Sequence, residues 1–237
     1  IEMKIAINGF GRIGRLVYRL MKEDDFFDVV AINDLSSSEE LAYLLRYDTN
    51  HRTYDKDITF DEEGIIVDGK KTRVYSEMDP SNLPWGELGV DLVFECTGKF
   101  TKKEEANKHI LAGAKKVLIS APGKGDMKTV VYNVNDDILT SDDVIVSAAS
   151  CTTNCLAPIV KVLDDNFGIE RGFMTTIHAY TNDQVTLDVS HKKGIKERRG
   201  VTDGHTSSSF SHSINSTRGS LPVSQASFFS LACSLHA

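Results

Sequence analysis

The chain has 237 residues, a formal net charge of −7 and 41% hydrophobic residues, which suits a globular protein with room for one large domain or two modest ones. The acidic balance argues against wholesale nucleic-acid binding, and every apolar run falls well short of the roughly 20 residues a membrane span needs. Four cysteines, at 96, 151, 155 and 233, do not form a disulfide framework, and no second Cys/His pair with zinc spacing accompanies Cys151 and Cys155. The reading is therefore metal: none, with a reduced, cytoplasmic setting; Ile1 to Ala6 lacks the basic and apolar regions of a signal peptide.

In chain order, Lys4-Ile5-Ala6-Ile7-Asn8 is a short apolar strand that runs into Gly9-Phe10-Gly11-Arg12-Ile13-Gly14. Helical spacing of Ile13, Leu16, Val17 and Leu20 follows. The next apolar run, Val29 to Asn33, ends at Asp34, which lies 34 − 14 = 20 residues past the last glycine. Strand, glycine turn, helix and acid at this spacing make the full dinucleotide fingerprint. Gly9 permits the tight turn, Gly11 lets backbone approach a pyrophosphate, and Gly14 allows close helix–strand packing. The helix N-terminus faces the phosphates. Asp34 would accept from ribose hydroxyls and repel a 2′-phosphate, so the cofactor expected is NAD in preference to NADP.

Ser38 to Tyr47 reads as a helix with Ser38 as its cap. Asp57 to Tyr75 reads as short strands, with Asp68-Gly69 a hairpin turn. Asp91 to Glu95 is a buried strand ending at Cys96-Thr97-Gly98, a natural crevice edge that makes Thr97 a candidate cofactor contact. Thr101 to Ala112 is a helix with a Thr101/Glu104 capping box, and Lys116 to Ser120 is the next strand. Cys96 reads as packing; Ser120 is left between a nicotinamide contact and a simple turn hydroxyl. The alternation of strands and helices gives the fold class: α/β, a doubly wound, mainly parallel dinucleotide-binding sheet.

The run from Asp143 to Ala148 is strand-like and delivers the chain to Ser150-Cys151-Thr152-Thr153-Asn154-Cys155, after which Leu156 to Phe167 continues as an apolar helix. A cysteine at a strand-to-helix turn meets open amides and the helix dipole, which favour a thiolate nucleophile. Phe173 to Ile177 reads as a strand delivering His178. A thiolate and an imidazole beside a nicotinamide cofactor fit aldehyde oxidation: Cys151 attacks the carbonyl, His178 takes the hydroxyl proton, and a thioester remains. Hydroxyls at Ser150, Thr152 and Thr181 could bind phosphate oxygens or act as caps and turn residues. The basic run from His191 to Arg199 reads equally as a solvated loop.

Three motifs resemble phosphorylating glyceraldehyde-3-phosphate dehydrogenase. They are Asn8 to Gly14, Ser147-Ala148-Ala149-Ser150-Cys151-Thr152-Thr153-Asn154-Cys155, and His178-Ala179-Tyr180-Thr181-Asn182-Asp183-Gln184. The similarity covers residues 3 to about 200. It implies Cys151 as nucleophile and His178 as base, with glyceraldehyde 3-phosphate and inorganic phosphate held around Ser150, Thr152, Thr181 and Arg199. It further implies Arg12, Ile13, Asp34, Met78, Ser120 and Asn182 around NAD, and a glycolytic homotetramer in which Thr181 to Arg199 forms a loop lining the neighbour's cofactor site. Val189-Ser190 stands where strongly NAD-preferring members often carry Leu-Pro.

The expected domains are 1–150, dinucleotide-binding; 151–200, the start of a truncated α+β catalytic domain; and 201–237, a serine-rich tail that leaves the family pattern. That tail has one Asp (Asp203), one Arg (Arg218) and no Lys or Glu, and the expectation is an altered reading of the gene. With the catalytic domain truncated, the chain is expected to keep the NAD fold and show little turnover. Two other readings share these residues: a non-catalytic NAD-binding or redox-responsive fragment, and erythrose-4-phosphate dehydrogenase.

Overall fold

The computed structural model describes residues 2–176, 178 and 213–215. Two compact units divide at Val162/Leu163, and each is described by itself.

In the first unit, β1 (Met3–Asn8) leads through the glycine turn into α1 (Arg12–Met21), then β2 (Phe27–Asn33), α2 (Ser38–Arg46) and the small pair β3 (Tyr47–Asp48) and β4 (Arg52–Thr53). A meander follows: β5 (Ile58–Asp61), β6 (Gly64–Val67) and β7 (Lys70–Tyr75). Its second turn has positive φ at both Asp68 (50°) and Gly69 (78°), the geometry of the expected two-residue hairpin turn. After a short α3 (Trp85–Leu88) come β8 (Leu92–Glu95), α4 (Lys103–Leu111), β9 (Lys116–Ile119), β10 (Lys128–Thr129), β11 (Ile145–Ser147) and α5 (Cys151–Phe167), whose last five residues belong to the second unit.

Nine of these strands form one sheet in the order β10-β11-β9-β8-β1-β2-β7-β6-β5. Pairing is parallel from β10 to β7, and antiparallel only at β6 and β5. Side chains alternate between the faces, so successive strand residues serve two cores. Ile5 and Ile7 pack with Val17, Tyr18, Leu41 and Leu45 on the α1/α2 side. Ala6 and Val93 pack with Trp85, Ala106 and Val117 on the α3/α4 side. A sheet covered on both faces accounts for the unbroken apolar strands. The chain leaves β1 for β2 on one side and later returns to place β8 on the other, so the strand order reverses between β1 and β8. That reversal opens a crevice at the carboxyl ends.

Three boundaries differ from the sequence reading. The α2 cap is Ser37, whose hydroxyl accepts from Glu40 N at 3.2 Å, one residue earlier than Ser38. The α4 cap is Lys102, not Thr101; Glu105 accepts from Lys102 N (3.4 Å) and Nζ (3.1 Å). Lysine lends no acceptor, so only the glutamate half of a capping box operates here. In the second unit, β12 (Arg171–Phe173) shares only Phe173 with the expected Phe173-to-Ile177 strand and pairs antiparallel with β13 (Ser213–Asn215). The tail thus supplies a strand that its serine-rich composition did not announce.

Candidate functional site

The glycine turn is shaped by close backbone approach. Gly9 sits at φ 90°, and a Cβ there would lie 2.8 Å from Thr97 N, because β1 and β8 are locked by Cys96 N donating to Asn8 O at 2.7 Å. A Cβ on Gly14 would stand 2.1 Å from Gly9 O, whereas one on Gly11 meets nothing within 4 Å. Helix α1 begins on Gly11 with no side-chain cap and no acid in its first turn. Its first amides therefore face the open space above Gly11, which is the charge and shape a pyrophosphate requires. These residues fit a dinucleotide.

Asp34 stands where β2 ends. One carboxylate oxygen accepts from Phe10 N at 2.8 Å and the other from Ser36 N at 3.0 Å. It ties the glycine turn to the end of β2 while each oxygen keeps acceptor capacity for a hydroxyl. Arg12 pairs with buried Asp48 at 3.2 Å. Burial opposes the Asp48 charge, but the His51 and Asn50 amides, the His51 ring and the Arg12 guanidinium together hold that carboxyl well below its usual range. Ile13 is half-buried beside the core. Met78 is 79% exposed, on a loop fixed by Asn33, which accepts from Glu77 N (2.8 Å) and donates to Glu77 O (2.9 Å). Ser120 donates from both its amide and its hydroxyl to Glu95 O, each at 3.0 Å. Burial pushes the Cys96 thiol up to about 12, with the Ser120 hydrogen bond pulling the other way; a protonated, packed thiol matches its reading as core.

Sequence reasoning missed the layer beneath this crevice. Glu95, 1% exposed, accepts from Asn8 Nδ2 (2.6 Å), His109 Nε2 (3.0 Å), Thr97 N (2.8 Å) and Thr97 Oγ1. Trp85 Nε1 donates to His109 Nδ1 at 3.0 Å. Indole nitrogen only donates, so His109 Nδ1 is an acceptor, the ring is neutral, and Nε2–H points to Glu95. The His109–Glu95 contact is thus a hydrogen bond to a carboxylate, not an ion pair. Asn33 Nδ2 completes the chain by donating to Asn8 Oδ1 at 2.7 Å. Four donors satisfy one buried carboxylate, and with the Asn33–Asn8 link the ends of β1, β2 and β8 are held together. One signal was legible: four of the strands close on a polar residue, Asn8, Asn33, Glu95 and Ser147.

Those closing residues share a row. Ser147 pairs in register with Ile119, Ile119 with Glu95, Glu95 with Asn8 and Asn8 with Asn33. The turn to Cys151 and the glycine turn therefore leave the same edge of one sheet. They are three strand spacings apart, about 14 Å. Cys151 is the first residue of α5, with Ser150 before it and Thr152 after. Ser150 O accepts from Thr153 N (3.3 Å) and Asn154 N (3.5 Å). His178 is half-buried and belongs to the second unit, whereas Cys151 belongs to the first. Thr181, Asn182 and Arg199, with the other residues of 181–199, lie outside the described residues. Among the described residues no group of three or more His, Cys, Asp or Glu could hold a metal ion, and no helix is long and apolar enough to cross a membrane.

Residues 3–103 match the family model described as glyceraldehyde 3-phosphate dehydrogenase, NAD binding domain. Residues 150–216 match that described as glyceraldehyde 3-phosphate dehydrogenase, C-terminal domain. The chain is 58% identical over 191 residues to a glyceraldehyde-3-phosphate dehydrogenase of Clostridium pasteurianum, covering 81% of this chain and 57% of the relative. It is 57% identical over 195 residues to that of Clostridium acetobutylicum, covering 82% and 58%. For Thermotoga maritima the figures are 54% over 191 residues, 80% and 57%. The matched stretch thus spans 57–58% of the length of these curated relatives.

Proposed function

Because this chain belongs to the glyceraldehyde-3-phosphate dehydrogenase family, we propose that its chemistry is the NAD-dependent oxidative phosphorylation of glyceraldehyde 3-phosphate to 1,3-bisphosphoglycerate, a glycolytic step in the cytoplasm. The register row supports this reading most directly. One sheet edge carries a dinucleotide turn at Asn8 and, three strands away, the turn that begins a helix with Cys151.

In this reading the Cys151 thiol gives its proton to His178 as sulfur adds to the aldehyde carbonyl; that proton passes to the carbonyl oxygen to complete a hemithioacetal, and His178 takes it back as the hydride leaves. NAD, when bound, supplies the hydride acceptor. The carbonyl re-forms as a Cys151 thioester; inorganic phosphate attacks it, the thiolate leaves, and the acyl phosphate departs. Ser150, Thr152, Thr181 and Arg199 hold the phosphate oxygens. Gly9, Gly11, Arg12, Ile13, Gly14, Asp34, Met78, Thr97, Ser120 and Asn182 surround NAD. The assembly is a homotetramer.

The test is NADH formation by the purified chain with glyceraldehyde 3-phosphate, with and without phosphate. A low rate is expected, so the decisive quantity is dependence: the signal requires phosphate and disappears in Cys151→Ser. NADH formation that survives Cys151→Ser contradicts the proposal. NAD binding and Cys151 alkylation without any NADH favour the non-catalytic fragment, and faster turnover of erythrose 4-phosphate favours the related dehydrogenase.

A further inference from the structure

The turn that delivers Cys151 contains a buried non-glycine residue in the left-handed region. Ala149 has φ 66° and is 0% exposed. An L-residue with a Cβ adopts that conformation only where its surroundings over-determine it. Two side chains do so here. Beneath the turn, the hydroxyl of Ser147, itself 0% exposed, accepts from Ala149 N (3.1 Å) and from Gly123 N (3.0 Å) while donating to Ala121 O (2.8 Å). One donor and two acceptor sites exhaust a hydroxyl. Above the turn, Asn154 Nδ2 reaches back from the first turn of α5 to Ala148 O (3.0 Å) and Ser150 O (3.3 Å). The backbone adds Ala148 N donating to Ile119 O at 2.9 Å. The space is equally constrained: a Cβ on Gly123 would stand 2.9 Å from Ser147 Cβ.

We infer that Ser147 and Asn154 are positioning residues for Cys151, clamping an elbow at Ala149 that fixes how α5 leaves the sheet and so where the nucleophile stands. The inference rests on the reading of Cys151 as nucleophile. It adds that the nucleophile's reactivity is held by a hydroxyl four residues earlier and an amide three residues later. Ser147→Ala removes the acceptor that makes the left-handed turn worthwhile for an alanine. A glycine at 149 adopts the same turn without steric cost.

The experiment is iodoacetamide labelling of the full chain at neutral pH, with rates resolved at Cys151 and Cys155 by peptide mass spectrometry. In the parent, Cys151 reacts ahead of Cys155; equal rates overturn the nucleophile reading and this inference with it. Given a fast Cys151, Ser147→Ala slows it about tenfold with Cys155 unchanged, and adding Ala149→Gly restores most of the loss. An unchanged Cys151/Cys155 ratio in Ser147→Ala, or no restoration by Ala149→Gly, overturns the inference while leaving the nucleophile reading intact. Should Ser147→Ala not fold, Asn154→Ala, which removes the upper tie and leaves a good helix former, carries the same test: a selective loss at Cys151 supports the clamp and an unchanged ratio overturns it.

Discussion

Gly11 and Gly14 lie three positions apart and differ in what would meet a side chain. A Cβ at Gly14 runs into Gly9 O at 2.1 Å, while one at Gly11 points into open space. Gly14→Ala is therefore expected to destabilise the chain by about 1–3 kcal/mol through overpacking. Gly11→Ala should cost less than about 1 kcal/mol yet weaken NAD binding, because its methyl occupies the phosphate's approach. Thermal unfolding together with NAD titration checks both, and a Gly11→Ala protein with unaltered affinity contradicts the cradle. The spacing of Asp34 did not announce that its carboxylate links Phe10 N and Ser36 N; the ribose contact is the proposed role. Asp34→Ser, which removes the charge and keeps an acceptor, is expected to narrow the preference for NAD over NADP by about tenfold or more; competition titration of the two cofactors measures it.

At the scale of elements, strands were legible because unbroken apolar runs ended in turn chemistry, and the glycine turn because its spacing is fixed by a ligand's shape. The Glu95–His109–Trp85 chain was not, since nothing local marks His109 within α4 or Trp85 ahead of β8. Their partnership exists only once two crossovers bring α3 and α4 against β8. Glu95→Gln should cost about 1–3 kcal/mol, because one amide group must then oppose a donor among Asn8, His109 and Thr97; Trp85, the chain's one tryptophan, reports the disturbance by its fluorescence. A Glu95→Gln protein with unchanged melting and emission contradicts the hydrogen-bond assignment. Two connections depend on acids: Ser81 and Lys108 lower Asp79 to about 2, and Lys128 and Thr140 lower Asp143 to about 2. A depressed carboxyl contributes stability above its unfolded value near 4, which is lost as pH falls toward 2. Acid titration is thus expected to loosen these connections between about pH 4 and 2, with Asp79→Asn and Asp143→Asn removing part of that dependence.

For the whole molecule, the dinucleotide-binding half was readable almost throughout, because two cores on one parallel sheet leave a strong periodic record. The second half was read from motifs instead. The helix after Cys151 bears an exposed stripe of Ile159 (55%), Val162 (61%), Leu163 (44%) and Phe167 (83%), which composition alone could not distinguish from a buried face. Such a patch promotes self-association; Val162→Glu with Phe167→Glu should reduce light scattering of the purified chain, and unchanged scattering would locate the cause elsewhere. The glycine turn and the Cys151 turn leave the same end of one sheet about 14 Å apart. The most direct measurement is the alkylation rate of Cys151 in the full chain with saturating NAD and with saturating AMP. NAD, long enough to reach from one turn to the other, should change the Cys151 rate several-fold and leave Cys155 unaltered, while AMP, confined to the Asp34 end, should change neither. Equal effects of NAD and AMP at Cys151, or none from NAD despite demonstrated binding, would contradict the account.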